Sequence, residues 1–294
     1  MTAIATRARV AVAPRDVAPL LVAAAAFLIL FANPLRLLAI DWWTDPDAGH
    51  GLLLAPLALW LAWRSGLVAE RRPQRIMGSL LLGASVLLRY LAGLAAEMFT
   101  MRLSIVGALL GIVLFVYGWR QAMRWWLPIV LFTLSIPLPS IITNTIALPL
   151  QFKASQMGAA LLEARHVPVR LTGNVIMLPG GHRLFVTEAC SGLRSLTALL
   201  SLGVLIGGLW LKYPVSRVVL LALAIPVAVL INGVRVFLTG FLVFFVSPAL
   251  GEGFMHVTEG WLMFIVAFAI LGLFAWITGR LERTYAEWRT VHAG

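Results

Sequence analysis

Apolar runs of about 20 residues recur along this chain and limit its folding more than any other feature. Each run is long enough for a helix to cross a bilayer. Hydrophobic residues make up 61% of the chain and charged residues 12%, about half the charged share of soluble proteins. One soluble core could not bury so much apolar surface. The sequence therefore predicts an all-α polytopic membrane protein with a single domain over residues 1–294.

About eight transmembrane helices are predicted, with a small helix-plus-β-hairpin insertion before the sixth. The predicted spans are residues 17–40, 50–66, 76–96, 103–119, 124–141, 191–210, 214–235 and 257–278. The first apolar stretch, Leu20 to Phe31, follows three arginines as in a signal peptide, but the many later spans favour an uncleaved anchor. Residues 236–246 are too short to cross alone, so we expect them to lie in the interface or to re-enter the membrane.

Basic residues in alternate loops predict the orientation of the chain. They cluster in both tails and in three loops between spans: Arg7, Arg9, Arg15, Arg64, Arg71, Arg72, Arg75, Arg120, Arg124, Lys212, Arg217, Arg280, Arg283 and Arg289. The other loops carry acidic residues: Asp41, Asp45, Asp47, Glu97, Glu252 and Glu259. The positive-inside rule then predicts that both termini are cytoplasmic. Arg102, Arg165 and Arg170 fall on the other side and depart from the rule.

The longest predicted non-cytoplasmic segment, residues 142–189, holds the insertion. Its first part, Thr143 to Arg165, predicts a helix that lies on the membrane surface. Its second part predicts a β-hairpin, because Val175 to Leu178 and Arg183 to Thr187 flank the turn sequence Pro179-Gly-Gly-His182.

Charge and cysteine content exclude several classes of function. The formal net charge is +11, but no aromatic stacking platform accompanies the basic loops, so we expect no nucleic-acid binding. A single cysteine excludes an intramolecular disulfide and argues against a thiolate metal cluster. Asp45, Asp47 and His50 offer a small carboxylate–histidine set, but further ligands are not obvious. We expect neither a metal nor a cofactor.

The single cysteine, Cys190, is the leading candidate for chemistry. It follows the predicted hairpin and stands at the start of the sixth span, where free backbone N–H groups and the helix dipole favour an anion. Arg194 lies one turn along the same face, and Ser191 is suited to cap the helix. This environment favours the nucleophilic thiolate. The alternative is a buried structural cysteine, which is common for this residue type.

Arg235 is the second candidate. The apolar run from Pro214 to Val234 covers about 30 Å as a helix, so Asn232 and Arg235 are predicted to emerge near the face that carries Cys190. An ionisable residue embedded there is a functional candidate, and the alternative is an arginine that snorkels to lipid headgroups. The Asn232-Gly233 pair further suggests a break in the helix.

His256 is the third candidate, because it precedes the last span on the same predicted side. The alternative is a solvated interfacial histidine. Together the three groups fit nucleophilic acyl transfer. The thiolate attacks a peptide carbonyl, an arginine stabilises the oxyanion or holds the substrate backbone, and the imidazole moves the proton. Serine chemistry is disfavoured because there is no Gly-x-Ser-x-Gly elbow.

Several motifs resemble those of the exosortase/archaeosortase family over roughly residues 40–280. They are Asp47-Ala-Gly-His-Gly51 leading to Pro56, Ile136-Pro-Leu-Pro139, Pro149-Leu-Gln151, Gly173-Asn174, Glu188-Ala-Cys-Ser-Gly-Leu-Arg-Ser195, Asn232-Gly-Val-Arg235 and His256. The resemblance implies a membrane cysteine protease or transpeptidase. It implies that Cys190 is the nucleophile, Arg235 the catalytic arginine and His256 the general acid/base, while Arg194 also matches a motif position. Glu188, Ser191, Asn232 and His50 are the expected supporting or substrate-binding residues.

The resemblance also implies a location and partners. The protein is expected in the bacterial inner membrane, with its active site facing the periplasm. Its expected substrates are membrane-anchored proteins with a C-terminal sorting signal, which comprises a short motif such as Pro-Glu-Pro, a membrane helix and a basic tail. Genes that encode members of this family often accompany exopolysaccharide production. Two alternatives stay open: a non-catalytic membrane subunit of an exopolysaccharide export or polymerisation assembly, and an anion transporter that uses Asn232 and Arg235.

Overall fold

A computed structural model describes residues 14–45, 47–186, 193–247 and 253–292. Helices account for most of these residues, and a small sheet accounts for nine. The helices are α1 (Pro14–Thr44), α2 (Gly51–Ser65), α3 (Arg75–Leu94), α4 (Met98–Val116), α5 (Trp119–Arg124), α6 (Trp126–Leu134), α7 (Ser140–Ala164), α8 (Leu193–Trp210), α9 (Pro214–Phe245) and α10 (Gly253–His292). The strands are β1 (Arg170–Thr172), β2 (Val175–Met177) and β3 (Arg183–Phe185).

Five helices in the described part of the chain are long and apolar enough to cross a membrane. They are Ala24–Thr44, Arg75–Leu94, Met98–Val116, Pro214–Phe245 and Leu262–Trp288. Two shorter apolar helices, Gly51–Ser65 and Leu196–Trp210, lie where two further spans were predicted. The protein is therefore mostly helical and multi-pass, as predicted, but the count of eight spans is not reproduced. The predicted span 124–141 corresponds to α6, whose nine residues reach only about 14 Å.

Helix α9 differs from its prediction. It runs without interruption from Pro214 to Phe245, so residues 236–246 continue the seventh span and do not form a separate interfacial or re-entrant segment. Val, Phe and Leu fill this stretch, and Gly233 is tolerated inside the helix because it lets another helix approach closely.

That other helix is α7, which packs along the second half of α9. A Cβ on Gly158 would collide with Val236, one on Gly233 would meet Met157, and one on Gly240 would meet Leu162. These contacts advance along both helices in the same direction, so α7 and α9 run parallel. The helix predicted at 143–165 is confirmed as Ser140–Ala164. It is a packed member of the bundle, however, and not a helix lying apart on the membrane surface.

The small sheet confirms the predicted hairpin and adds one strand. β2 and β3 pair antiparallel, with Val175 opposite Phe185 and Met177 opposite Arg183. β1 pairs antiparallel with β2 through the turn Gly173-Asn174. Gly173 adopts a φ of +61°, a conformation that glycine reaches without strain. A Gly-Asn pair between two short runs is itself a hairpin signal, so the sequence contained the information for the strand that was missed.

The loops of the protein sort to two ends of the helical bundle. At one end, here called the hairpin end, lie the sheet, the end of α1 and the starts of α2, α4 and α8. At the other, called the basic end, lie residues 65–75, 117–126 and 211–214. Contacts between residues at or near the helix ends define each set: Asp41 pairs with Arg102 at the hairpin end, while Arg120 pairs with Glu70 and Arg124 donates to the Ser65 carbonyl at the basic end. These are the two groups of loops that the charge pattern separates.

Helix α4 begins at the hairpin end with a side-chain cap. The Glu97 carboxylate accepts hydrogen bonds from the backbone N–H of Thr100 (2.6 Å) and of Phe99 (3.1 Å). Hydrogen bonding from Thr100 is the main cause that holds the pKa of Glu97 below its ordinary value. Helices α3 and α4 then form a tight hairpin, because Gly78 and Gly111 let the two backbones approach.

Arg102, which departs from the positive-inside rule, is explained by its partner. Its guanidinium lies 2.6 Å from the Asp41 carboxylate, and its side chain is only 8% exposed, against 32% for Asp41. The pair joins the end of α1 to the second turn of α4. A buried ion pair contributes little net stability by itself, but removal of one partner leaves an uncompensated buried charge.

We expect Asp41→Asn to destabilise the protein by about 2 kcal/mol, because it leaves Arg102 buried without its counter-ion. The matched control is Glu70→Gln, which removes a carboxylate whose side chain is 70% exposed and should cost less than about 1 kcal/mol. Thermal unfolding of the purified protein in detergent measures both variants. Arg102→Met in the Asp41→Asn background should restore part of the loss, and equal behaviour of Asp41→Asn and Glu70→Gln would contradict the prediction.

Candidate active site

Helices α8, α9 and α10 form a bundle whose directions follow from their contacts. Gly207 of α8 lies beside Leu220 of α9, and Gly203 of α8 lies beside Leu221 of α9 and Leu271 of α10. Leu199 of α8 and Ala228 of α9 line one cavity. Residue numbers therefore rise along α9 as they fall along α8, whereas α10 follows the direction of α8. Consequently α8 and α10 both begin at the hairpin end, and the second half of α9 lies at that same end.

A small cavity lies between these three helices. Its volume of about 10 Å³ is close to the space that one water needs. The cavity is lined by Leu199 of α8, by Ala228, Ile231, Asn232 and Arg235 of α9, and by Met263, Phe264 and Ala267 of α10. Asn232 and Arg235, two of the predicted site residues, are thus the polar residues in an otherwise apolar lining.

Asn232 and Arg235 are three residues apart, so they lie on one face of α9. Asn232 is buried, at 5% exposure, and Arg235 is half-buried. The break that the Asn232-Gly233 pair suggested is wrong, because α9 continues through it. Thr239 supports the next turn by donating from its hydroxyl to the Arg235 carbonyl at 3.0 Å. Arg235 therefore projects from a regular helix towards α8 and α10, and not from an unwound segment.

The positions of the other predicted residues follow from the same helices. Arg194 is in the first turn of α8 and His256 is in the first turn of α10. His256 is seven residues, or about 10 Å of helix, from the cavity residue Met263. Both helices start at the hairpin end, and Arg235 lies in the half of α9 that is nearest that end. The three positions therefore lie towards the same end of the bundle. Glu188, Cys190 and Ser191 fall in residues 187–192, which lie outside the described residues.

His50 has a role in the architecture that the sequence did not reveal. Its Nε2 lies 3.2 Å from the Leu134 carbonyl, which can only accept, so Nε2–H is the donor. The Trp42 indole N–H donates to the next carbonyl, that of Ser135, at 2.7 Å. These carbonyls at the end of α6 have no partner within the helix. Any Cβ on Gly51 would collide with the Trp42 ring.

Within the motif 47–51, His50 therefore contributes to the cap on α6 and Gly51 leaves room for the Trp42 ring. His50 does not line the cavity between α8, α9 and α10. In the part of the chain that the structure describes, no group of three or more histidine, cysteine, aspartate or glutamate side chains is arranged to hold a metal ion. The alternative metal site at Asp45, Asp47 and His50 thus gains no support.

A polar link fixes the chain just before the segment that contains Cys190. The Asn174 amide donates from Nδ2 to the Val186 carbonyl at 3.0 Å and to Gln151 Oε1 at 3.4 Å. The Val186 N–H donates back to the Asn174 carbonyl at 2.9 Å. Gln151 is buried at 4% exposure and Val186 at 1%. The link joins α7, the β1–β2 turn and the end of β3, and it holds Val186 four residues before Cys190.

Sequence reasoning noticed Gln151 and Asn174 only as parts of motifs and assigned neither a role. A buried glutamine inside an otherwise apolar helix segment is the signal that would have found the link, because buried amides require partners. The partner could not be named from sequence, since the Gln151 and Asn174 contact spans 23 residues.

We expect Asn174→Asp to loosen the end of β3. The substitution keeps the size of the side chain but places a carboxylate against two acceptor oxygens, which costs about 1–3 kcal/mol. Hydrogen exchange of the Val186 amide should accelerate by about 10-fold or more, as mass spectrometry of the peptide over residues 183–187 would show. Thr172→Ala, at an exposed position of the same sheet, is the control and should leave the rate unchanged. An unchanged rate in Asn174→Asp would show that the link does not hold the strand.

Comparison with known proteins gives one finding. A family model described as transmembrane exosortase matches residues 42–273 of this chain, a range that includes the cavity, the Gln151 and Asn174 link and all three predicted catalytic positions. The comparisons with curated proteins and with solved structures give no match.

Proposed function

Because the chain belongs to the transmembrane exosortase family, we propose that it is a cysteine protease or transpeptidase. Its substrates are membrane-tethered secreted proteins, which it cleaves at a C-terminal sorting signal. The observation that carries the proposal is the direction of three helices. Helices α8 and α10 begin at the hairpin end, and the second half of α9 lies at that same end. This arrangement supports a site to which three separate segments each contribute one reacting group.

Cys190 is the proposed nucleophile. Its thiolate attacks the carbonyl carbon of the scissile peptide, and the carbonyl oxygen becomes an oxyanion. Collapse of this intermediate breaks the C–N bond and leaves a thioester between Cys190 and the upstream part of the substrate. The leaving amine, which carries the membrane helix and basic tail of the substrate, takes a proton from the His256 imidazolium.

The second half of the reaction releases the thioester. Water or an acceptor amine attacks the thioester carbonyl, and neutral His256 removes the proton from the attacking group. Attack by water gives a hydrolysed product, whereas attack by an amine joins the secreted protein to the acceptor. In both cases the Cys190 thiolate is regenerated and no further reactant is consumed.

Arg235 is the proposed oxyanion partner. Its half-buried position on the cavity face of α9 supports this choice, because a positive charge acts more strongly away from bulk water. Asn232, on the same face, is proposed to orient the substrate backbone. The acidic residues of a sorting motif would pair with Arg194 or with Arg183, which is exposed on β3.

The proposed location follows the charge pattern. We infer a bacterial inner membrane protein with both termini in the cytoplasm and the hairpin end in the periplasm. The substrate helix then lies among the spans with its cleavage motif near the hairpin end, and its basic tail stays in the cytoplasm. The transporter alternative depended on a broken helix at Asn232, and the continuity of α9 removes that support.

Cys190→Ala should abolish substrate cleavage, with a loss of at least about 10³-fold, while the protein still accumulates in the membrane. The assay is co-expression with a membrane-tethered reporter that carries a sorting signal, followed by immunoblotting for the size change. Ser201→Ala in α8 is the control and should process normally. Full processing by Cys190→Ala would overturn the proposal and favour a non-catalytic membrane subunit.

Arg235→Gln should lower kcat by about 10²–10³-fold with little change in KM, because an oxyanion contact forms in the transition state and not in the bound substrate. Arg235→Lys keeps the charge and should recover part of this loss. Arg75→Gln at the basic end is the control. A rise in KM at constant kcat would instead assign Arg235 to binding of the substrate backbone, and equal activity of all four proteins would exclude a role in the reaction.

A further inference from the structure

A second and much larger cavity lies at the basic end, far from the site described above. Its volume is about 860 Å³, and it opens between the end of α8, the α8–α9 turn and the second half of α10. Its lining includes Trp210, Trp276, Lys212, Arg280, Arg283 and Glu287. Aromatic rings and cations therefore face the same space.

The floor of this cavity is a turn that is held rigidly. The Glu282 carboxylate accepts hydrogen bonds from the backbone N–H of Lys212 at 2.9 Å and of Tyr213 at 3.1 Å. The Arg217 guanidinium donates to the Leu211 carbonyl at 2.8 and 3.1 Å. Glu282 is 8% exposed, so its charge is used in anchoring the turn to α10. The cavity thus exists as a preformed space and not as a gap between loose loops.

The charges that face the cavity are mainly positive. Lys212, Arg280 and Arg283 are exposed, and among the described residues none of them lies within 4 Å of a carboxylate oxygen. Arg280 stacks over the Trp276 ring at 5.1 Å, which holds its guanidinium at the cavity wall. The lining contains two acidic residues, of which Glu282 accepts hydrogen bonds from the turn and Glu287 does not. The balance of charge therefore suits an anion.

The depth of the cavity matches the headgroup layer of a membrane. Trp210 is 17 residues beyond the start of α8, or about 26 Å along the helix, and the hydrocarbon core of a bilayer is about 30 Å thick. Trp210 and Trp276 are 60% and 50% exposed, as expected of aromatic residues at a membrane interface. The cavity thus places three cations at headgroup level beside an apolar wall.

We infer that this cavity binds the headgroup of an anionic phospholipid. The phosphate lies against Lys212, Arg280 and Arg283, and the upper part of an acyl chain packs on the two tryptophans. Basic pockets between membrane helices are suited to such headgroups. The site is separate from the acyl-transfer site, and neither the inference nor its test depends on the proposed reaction.

The test is calorimetric titration of the full-length protein in detergent with dioctanoyl phosphatidylglycerol, with dioctanoyl phosphatidylcholine and with inorganic phosphate. Phosphatidylglycerol should bind at least 10-fold more tightly than either of the others. The variant Lys212→Gln/Arg280→Gln/Arg283→Gln should lose on the order of 100-fold in affinity, since each basic residue contributes about a factor of 5. The matched control removes three arginines elsewhere at the basic end, Arg64→Gln/Arg71→Gln/Arg75→Gln, and should stay within 3-fold of the unmodified protein.

Each other outcome overturns the inference. Equal affinity for the two lipids removes the role of charge, and an equal loss in both triple variants shows attraction without a site. Phosphate that binds as tightly as phosphatidylglycerol indicates a site for a free anion. A hexa-arginine peptide that binds to the cavity, and whose binding Glu287→Gln weakens, indicates a site for a basic tail.

If the triple variant does not fold, Glu287→Gln still decides, because it should tighten phosphatidylglycerol binding about 3-fold. No change or a weaker affinity contradicts the inference.

Discussion

The interior of a bilayer offers no water to form hydrogen bonds with backbone or charged groups, so the protein has to supply partners for these groups itself. Where a helix ends near the hairpin end, side chains supply the missing partners: Trp42 and His50 donate to the last carbonyls of α6. Buried charges also have partners: Asp41 accompanies Arg102, and two backbone N–H groups donate to Glu282. The same requirement explains the amide pair of Gln151 and Asn174, which holds the chain just before the residues that carry the proposed nucleophile.

Local pattern was sufficient to predict the helices that are uniform in composition and the hairpin that has a strong turn signal. The hydrophobic runs indicated α3, α4 and α8 within a few residues, and Pro179-Gly-Gly indicated the β2–β3 turn. For the candidate site, the sequence predicted the direction of the helices that carry Arg194, Arg235 and His256, while the site itself stays a prediction. Arg194 and His256 each lie in the first turn of a span, and the order of the spans brings those turns to one end, whereas Arg235 lies ten residues before the end of α9.

Features that depend on contacts between distant segments were not predictable. A glycine such as Gly233 suggests either a break or a close approach, and only the presence of Met157 on α7 decides between them. His50 beside two aspartates resembles a set of metal ligands, and only the Leu134 carbonyl 84 residues away shows what it binds. In both cases the residue type was noticed correctly, but its meaning depends on a neighbour that the local sequence does not contain.

Helix α10 links the two cavities in a mechanical sense. Its 40 residues form one uninterrupted rod about 60 Å long, with His256 near one end and Arg280 and Arg283 towards the other. Such a rod behaves as a lever: a tilt of about 5° around its midpoint displaces each end by roughly 2.6 Å at this length. That displacement approaches the length of a hydrogen bond. A tilt of α10 at the basic end would therefore move its first turn, which contains residue 256, by a similar distance at the hairpin end.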